Sequence, residues 1–354
     1  MGYSSSSDTV TLIHQILSRA TGGSDLELPA LFPVEGGSIN ATYQIITKDN
    51  RQWFCKINDG SRLPDLLAKE KRGLDLLREQ NIFRIPAVVA IETAGSLQVL
   101  ILEWIGSESR DAQPAGQATN GRDTDSTDSA GTGIRFNKEE MADTDTGSTS
   151  LADTGIRPGM EATAGTKTRR FWSLFGEQLA RLHHVSAPTF GLDHDNYIGS
   201  LPQKNTHSPV WSNFFIQQRL EPQVRLAGEK GLLSPSAIRQ FEQLYQVLPE
   251  LFPPEVPSLL HGDLWSGNFL CDEKGNPVLI DPAVYFGHRS MDLAMTTLFG
   301  GFGQPFYEAY HYHFPLPANY RQQWEIANLY PLLVHLNLFG ESYTGSILHT
   351  IQRF

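Results

Sequence analysis

Hydrophobic and polar positions along the first hundred residues predict a small lobe that mixes helices and strands. Apolar residues recur at helical spacing over residues 8–20, and Gly22 follows as a stop signal. Two β-rich runs are then joined by a polar Asp49-Asn50 turn, which predicts a hairpin. The predicted elements are a helix over 8–20, strands over 41–46 and 52–57, a helix over 64–79, and strands over 85–91 and 97–103.

The composition changes abruptly over residues 106–168, where Thr, Ser, Asp, Gly and Ala dominate. This stretch has 11 acidic and 6 basic residues, and Phe136 is its only aromatic residue. It cannot bury enough apolar surface to offset the entropy of ordering, so we predict a disordered or weakly ordered insertion. It is either an acidic lid or docking segment, or a tolerated insertion at an exposed connection. We favour the tolerated insertion.

Helical periodicity returns at Arg169 and continues to the end of the chain. The pattern predicts an α+β fold with two lobes: a small mixed N-lobe (1–105), the insertion (106–168) and a mostly helical C-lobe (169–354). The predicted C-lobe helices cover 170–185, 211–227, 235–250, 290–299, 303–313 and 318–339.

Charge and composition exclude several classes of protein. The formal net charge is −11 and no Lys/Arg cluster forms a basic stripe, which argues against nucleic-acid binding. No apolar run approaches the roughly 18 residues that would indicate a membrane span. Cys55 and Cys271 have no metal-type spacing, and the first residues show no signal-peptide pattern. We therefore expect a soluble cytoplasmic protein, and the sequence gives no indication of its oligomeric state.

The most informative segment is His261-Gly262-Asp263-Leu264-Trp265-Ser266-Gly267-Asn268, which precedes a strand-like run ending in Asp281. Phosphoryl transfer needs a carboxylate to orient and deprotonate the attacking hydroxyl, and oxygen ligands for the metal that bridges the nucleotide phosphates. Asp263 suits the first role, and Asn268 and Asp281 suit the second, because Mg²⁺ prefers hard oxygen donors. A turn with a helix-capping Asp would leave the second Asp unexplained.

Residues earlier in the chain fit the nucleotide half of such a site. Lys56, on the second hairpin strand, could neutralise phosphate charge, and Glu70 in the following helix could pair with it. The strand ending at Glu103-Trp104-Ile105 matches an inter-lobe hinge whose backbone binds an adenine edge. A glycine-rich turn between strands could cradle phosphates with backbone N–H groups. That turn comprises Gly36, Gly37, Ser38, Ile39 and Asn40.

Other polar residues around the loop have two readings. We interpret His261 as a residue that buttresses the loop, since Asp263 already provides the base. Asp292 begins an apolar helix and is expected to satisfy backbone N–H groups, with those of the loop as candidates. His288 and Arg289 could contact substrate at the mouth of the cleft or serve as scaffold.

The chain resembles the fructosamine/ketosamine kinase family, which is related to aminoglycoside and choline kinases within the protein-kinase-like fold. The resemblance covers nearly everything except the insertion. Trp265 within the loop and the Leu298-Phe299-Gly300-Gly301-Phe302 run distinguish this family from its antibiotic-kinase relatives. The other segments that carry it are Gly36–Asn40, Lys56 with Glu70, Phe190-Gly191, Asp195–Gly199, Trp211–Leu220, Asp281–Arg289, Asp292–Met295 and Leu336–Gly340.

The resemblance implies ATP- and Mg²⁺-dependent phosphorylation of the sugar 3-hydroxyl of ketosamines, on glycated lysines or free amines. The 3-phosphate destabilises the adduct, so the sugar leaves and the amine is restored. By the same resemblance Asp263 is the base, Asn268 and Asp281 bind Mg²⁺, and Trp265 and His288 lie near the sugar. Lys56 contacts phosphates and Glu70 orients it. Ser38 stands where many relatives carry Cys, so thiol regulation of that loop is not expected.

Two alternatives remain open from the sequence. One is a small-molecule kinase of the aminoglycoside or choline kinase type, acting on another amino alcohol. The other is a nucleotide-binding scaffold with the insertion as a docking arm, against which the complete set of polar site residues argues. Whether the sugar is a ribulosamine, an erythrulosamine or a fructosamine is not determined by the sequence.

Overall fold

The computed structural model of the protein describes residues 7–22, 28–34, 39–106 and 158–354. The predicted phosphate-loop residues Gly36, Gly37 and Ser38 and most of the predicted insertion lie outside the described residues. Within the described ranges, no helix combines the length and apolar character needed to cross a membrane.

The N-lobe is built on a five-stranded antiparallel sheet with the strand order β1-β2-β3-β5-β4. Its central strand β3 pairs with both β2 and β5, which places Lys56 in the middle of the sheet opposite Thr42 and Leu100. The elements are α1 (Ser7–Thr21), β1 (Ala30–Pro33), β2 (Ala41–Ile46), β3 (Gln52–Asp59), α2 (Leu66–Glu79), β4 (Val88–Ala94) and β5 (Leu97–Glu103).

Alternating residues of the strands face two different cores, as the twofold period of a strand requires. On one face, Ile101 and Cys55 pack with Ile13 and Ile16 of α1. The opposite face of β5 packs with the leucines of α2 in a second core, which continues into the C-lobe. The sheet is therefore covered on one side by α1 and joined on the other to the rest of the molecule.

The C-lobe is mostly helical, with short strand pairs that hold its loops. Its elements are α3 (Pro158–His183), β6 (Asn196–Ile198), β7 (Leu201–Gln203), α4 (Trp211–Phe215), a π-helical turn (Ile216–Leu220), α5 (Glu221–Glu229), α6 (Pro235–Leu251), β8 (Ser258–Leu260), β9 (Phe269–Cys271), β10 (Pro277–Leu279), β11 (Tyr285–Gly287), α7 (Ser290–Met295), α8 (Gln304–His313), α9 (Tyr320–Ala327), α10 (Leu329–Phe339), a 3₁₀ turn (Glu341–Tyr343) and α11 (Thr344–Ile351).

Two antiparallel pairs frame the loop that carries Asp263. Strand β8 leads into the loop and pairs with β11, with Leu260 opposite Tyr285. Strand β9 leaves the loop and pairs with β10, with Phe269 opposite Leu279. The loop at 261–268 and the turn at 280–284 are thus held side by side.

The element boundaries differ from the predicted ones in several places. The strand predicted over 85–91 is β4 (Val88–Ala94), the helix predicted over 211–227 is divided by a π-helical turn, and the helix predicted over 290–299 ends at Met295. Helix α3 begins at Pro158, so its first turns lie inside the segment predicted to be a disordered insertion. These turns precede the apolar residues that begin at Phe171. The predicted helix over 318–339 is two helices that meet at Asn328. The Asn328 side chain donates to Thr297 Oγ1 at 3.1 Å, which ties the junction to the segment after α7.

Candidate active site

Lys56 lies at the centre of a buried charge cluster. Its side chain is only 4% exposed, and its Nζ donates to Glu70 Oε1 at 2.7 Å and to Asp281 Oδ1. Burial alone would lower the pKa of Lys56, but the two carboxylates raise it above its ordinary value, so the ammonium stays charged. The structure therefore brings together three residues that the sequence separates widely.

Helix α2 presents Glu70 to Lys56 because it packs closely on the turn after Asp281. A Cβ placed on Gly73 would lie 3.3 Å from Pro282 Cγ and 3.4 Å from Val284 Cγ2. That spacing is at the tight end of ordinary contact, so a larger residue would push the helix away from the turn. Gly73 thus allows the close packing of α2 on this turn that brings Glu70 to Lys56.

Asp281 has a left-handed backbone, with φ at 54°. This conformation is uncommon for a residue with a Cβ, although Asp tolerates it better than most. The preceding residue, Ile280, donates its N–H to the backbone oxygen of Asn268 at 3.1 Å. Asp281 therefore projects from the end of β10 directly beside Asn268.

The loop that carries Asp263 is held from below by Asp292. The Asp292 carboxylate accepts the N–H of His261 at 2.7 Å and that of Gly262 at 2.8 Å, and His183 Nε2 donates to it at 3.2 Å. Gly262 has φ at 82°, and a Cβ there would overlap the backbone oxygen of Ala283. The interpretation of Asp292 as a residue that satisfies loop N–H groups agrees with this geometry.

His261 also acts within the loop rather than on a substrate. It is fully buried, its Nε2 donates to the Ile280 backbone oxygen at 2.9 Å, and its Nδ1 accepts the N–H of Asp263 at 3.3 Å. Burial lowers the pKa of His261, which keeps the ring neutral and lets Nδ1 accept. The ring thus links the Asp263 loop to the Asp281 turn.

Asp263 and Asn268 are joined across the loop. Asn268 Nδ2 donates to the backbone oxygen of Asp263 and to its Oδ2, both at 2.8 Å. Burial raises the pKa of Asp263 to about 7, the Asn268 hydrogen bond opposes this, and the charges of Asp281 and Asp292 add to it. A carboxylate that titrates near neutral pH suits general-base catalysis, since base strength and the deprotonated fraction are both adequate.

A small cavity lies against Asp263 on the C-lobe side. Its walls are largely apolar, and His335 also contributes to them. The residues that line it are Ile198, Gly262, Asp263, Met291, Met295, Tyr330, Pro331, Val334 and His335. Trp265, two positions after Asp263, is half-buried and meets Phe299 edge-to-face with ring centroids 6.0 Å apart. The base thus lies between the charge cluster and an apolar, aromatic surface.

The predicted hinge is tied to the C-lobe through Arg84. Glu103 accepts from Arg84 at 2.7 Å and from the Ala87 N–H at 3.1 Å, while its own N–H donates to Ala87. Arg84 also donates to Asp272 at 3.0 Å. The side chain of Glu103 is therefore committed to holding the hinge, and the following residues Trp104 and Ile105 are half-buried and buried respectively.

The structure places His288 inside the C-lobe, which favours its interpretation as scaffold over a contact with the sugar. His288 is 2% exposed, its Nδ1 bonds Ser290 Oγ at 2.8 Å, and its Nε2 lies 2.7 Å from Glu255 Oε2. Both ring nitrogens are thus occupied inside the C-lobe. His288 follows the end of β11 that pairs with Ser258, away from the end beside the loop. Its neighbour Arg289 binds the same Glu255, so the pair is scaffold.

The residues present fit a magnesium ion of the kind that binds mostly phosphates and water. In the described part of the chain, no group of three or more His, Cys, Asp or Glu side chains could hold a metal by itself. Mg²⁺ in phosphoryl-transfer sites typically takes only one or two protein oxygens. Asn268 and Asp281, side by side at the end of β10, supply hard oxygen donors of that type.

The comparison with known proteins assigns the family. The fructosamine kinase family model matches residues 9–121 and 160–354. The chain belongs to the fructosamine kinase family. This match confirms the family resemblance stated from the sequence motifs. The residues that the family model leaves unmatched, 122–159, lie within the predicted insertion. As a kinase of this family the chain uses ATP, and the predicted fold class and enzyme class are also confirmed.

Individual relatives agree with the family assignment. A probable ketoamine kinase of Lactiplantibacillus plantarum is 35% identical over 324 residues, which is 91% of this chain and 93% of the relative. The chloroplastic protein-ribulosamine 3-kinase of Arabidopsis thaliana is 41% identical over 184 residues, 51% of this chain and 56% of the relative. A crystal structure from Thermobifida fusca, provisionally named a fructosamine-3-kinase, superposes with a TM-score of 0.69 at 28% identity, covering 95% and 97% of the two chains.

The sequence analysis did not predict the β6–β7 hairpin, which positions parts of the site in this chain. Tyr197 donates its hydroxyl to Asp65 Oδ1 at 2.7 Å, just before α2. Asn196 and Gln203 donate to the backbone oxygens of Val284 and Ala283 at 2.8 and 3.1 Å. The hairpin thus joins α2 to the turn after Asp281. The Asp195–Gly199 motif was a visible signal, but three-residue strands lack a readable period.

Proposed function

We propose that this chain transfers the γ-phosphoryl group of ATP to the 3-hydroxyl of a ketosamine in an Mg²⁺-dependent reaction. The observation that supports it most is the convergence of Lys56, Glu70 and Asp281 beside the Asp263–Asn268 pair. These residues provide the parts that phosphoryl transfer requires, in the order and placement of a kinase. Family membership supports a ketosamine as the acceptor.

Each residue has a defined task in this proposal. The Asp263 carboxylate orients the sugar hydroxyl and accepts its proton as that oxygen attacks phosphorus. Lys56 contacts the phosphates through its ammonium, and Glu70 keeps that ammonium in place. Asn268 and Asp281 hold the metal ion, which neutralises phosphate charge when bound. Trp265 lies near the sugar.

The backbone of the hinge and of the glycine-rich turn completes the nucleotide site in this proposal. Glu103, Trp104 and Ile105 place main-chain groups at the mouth between the lobes, where an adenine edge binds. Gly36, Gly37 and Ser38 precede β2 in sequence and cradle phosphates. Asn40 lies immediately before β2, and its side-chain oxygen is buried with no hydrogen-bond partner among the described residues.

In this proposal the product is a ketosamine 3-phosphate, which is unstable. The phosphorylated sugar leaves, and the free amine is restored. The name of the Arabidopsis relative, protein-ribulosamine 3-kinase, makes a protein-bound ribulosamine the first acceptor to examine. Cys55 and Cys271 are both free thiols, which is consistent with a reducing cytoplasm. The net charge of −11 is consistent with an acceptor that carries a cationic amine and with no nucleic-acid partner.

The test is ATP consumption by the purified protein with Mg²⁺ and ribulosyl-, erythrulosyl- and fructosyl-lysine, beside Asp263→Asn. Turnover of a ketosamine is expected, with kcat reduced at least about a hundredfold in the variant, because general-base catalysis contributes roughly 10²–10⁴. An unchanged KM for ATP in the variant would show that the nucleotide site is intact. Turnover only of an aminoglycoside or a choline-type alcohol would refute the ketosamine assignment.

A further inference from the structure

Five aromatic rings in contact run outward from the catalytic loop, and we call them the aromatic wall. Phe299 meets Trp265 at 6.0 Å and His335 at 4.6 Å between ring centroids. His335 in turn meets Phe339 at 5.4 Å and Tyr343 at 5.2 Å. The wall therefore comprises Trp265, Phe299, His335, Phe339 and Tyr343.

The aromatic wall has one end near the base and the other in solvent. His335 lines the same cavity as Asp263. At the other end, Phe339 is 51% exposed. The wall therefore has one ring at the cavity beside Asp263 and another at the surface.

Phe299 is held in the wall at a cost in backbone conformation. Its φ is 51°, in the left-handed region that a bulky residue rarely adopts. Ser266 Oγ, in the catalytic loop, donates to the backbone oxygen of Phe299 at 2.6 Å. The neighbouring Leu298 and Phe302 pack with the hydrophobic core, whereas Phe299 turns to Trp265 and His335. Strain of this kind tends to persist where it places a functional side chain.

We infer that the aromatic wall is the subsite for the amine-bearing part of the ketosamine, with Phe299 as its specificity-determining residue. This inference rests on the proposed function. The secondary amine of a ketosamine is protonated at neutral pH, and an aromatic face attracts such a cation. The alkyl chain beyond the amine packs on Phe339 and Tyr343. Burial lowers the pKa of His335, so its ring stays neutral and does not repel the cation.

A pair of matched acceptors isolates the cation. Ribulosyl-butylamine carries the protonated amine, and 1-O-butyl-ribulose replaces it by a neutral ether oxygen with the same chain. The ratio of kcat/KM for the amine to that for the ether is measured in the wild type and in Phe299→Gly. Glycine accepts the left-handed φ, so this variant removes the ring while relieving the backbone. Tyr312→Ala, at a ring that is 82% exposed on α8, is the matched control.

The wild type is expected to prefer the amine, and Phe299→Gly is expected to lower that preference about two- to thirtyfold, the range of one cation–π contact. Phe339→Ala, at the end of α10, tests the wall independently. It should reduce the preference for ribulosyl-butylamine over ribulosyl-methylamine by about three- to tenfold, because apolar contact with the chain is lost. Tyr312→Ala should leave both ratios as in the wild type.

The outcomes separate the inference from the function on which it rests. Equal turnover of amine and ether by the wild type, or wild-type ratios in both Phe299→Gly and Phe339→Ala, would overturn the inference alone. No turnover of either ribulose derivative, or of any ketosamine, would overturn the proposed function and the inference with it.

Discussion

Replacing Asp292 by Asn tests whether the catalytic loop is held by one buried carboxylate. Asp292 is 1% exposed and accepts three donors: the N–H groups of His261 and Gly262 and the Nε2–H of His183. An Asn keeps the size of the side chain but presents an NH₂ group to at least one of these donors. It also removes the negative charge that strengthens all three bonds.

The magnitude follows from these contacts. Leaving one buried N–H of Gly262 or His261 unsatisfied costs about 1–3 kcal/mol, and replacing charge-assisted bonds by neutral ones costs about 1 kcal/mol more. We therefore expect Asp292→Asn to lower the free energy of unfolding by about 2–4 kcal/mol. We expect kcat to fall about a hundredfold, because a shift of about 1 Å in the loop misplaces Asp263. KM for ATP should change little, since Lys56 is held by other residues.

Urea unfolding at 25 °C and steady-state kinetics with a turned-over ketosamine measure both effects. The matched control is Glu229→Gln, the same change of carboxylate to amide at a side chain that is 65% exposed and lies 3.9 Å from Arg225. This variant should stay within about 0.5 kcal/mol of the wild type. If Asp292→Asn also stays within that margin and retains its kcat, Asp292 does not hold the loop and the reasoning is wrong.

Two further variants test the positioning elements. Tyr197→Phe keeps the ring beneath Lys69 but removes the hydroxyl that binds Asp65. KM for ATP should therefore rise about three- to tenfold while the fold is retained, as measured by steady-state kinetics and thermal melting. An unchanged KM would contradict a role for the hairpin. Burial lowers the pKa of His183 below its value in the unfolded chain, so the unfolded state binds more protons. The free energy of unfolding therefore falls as the pH drops below about 6.5, by up to about 1.4 kcal/mol per pH unit for this group. Urea unfolding between pH 7.5 and 5 should show a shallower slope in His183→Gln, and an identical slope would exclude this histidine as a source.

Local signals predicted the parts of the site that lie in continuous motifs. The carboxylates Asp263 and Asp281 and the amide of Asn268 were predicted from their spacing around one short hairpin, and the structure places them side by side. Lys56 and Glu70 could be paired from the strand–helix order alone. These residues could be placed together from the sequence because each pairing depends on one supersecondary unit.

Two features of the site that the sequence did not determine depend on long-range packing. His288 follows the same turn as the site residues, yet Glu255 and Ser290 draw it into the C-lobe, and no local pattern reports that. Likewise, the contact between Tyr197 and Asp65 joins residues 132 positions apart. Side-chain partners chosen across the fold are beyond the reach of periodicity and spacing.

The core that continues from the N-lobe sheet into the C-lobe has a consequence for how the chain can be divided. Leu67 and Leu74 of α2 and Leu100 of β5 share one cluster with Phe171 and Phe175 of α3. A fragment ending near Gly106 would leave those leucines facing water. The two lobes should therefore melt as one cooperative unit, and a chimera that exchanges one lobe between relatives must carry the matching half of this interface with it.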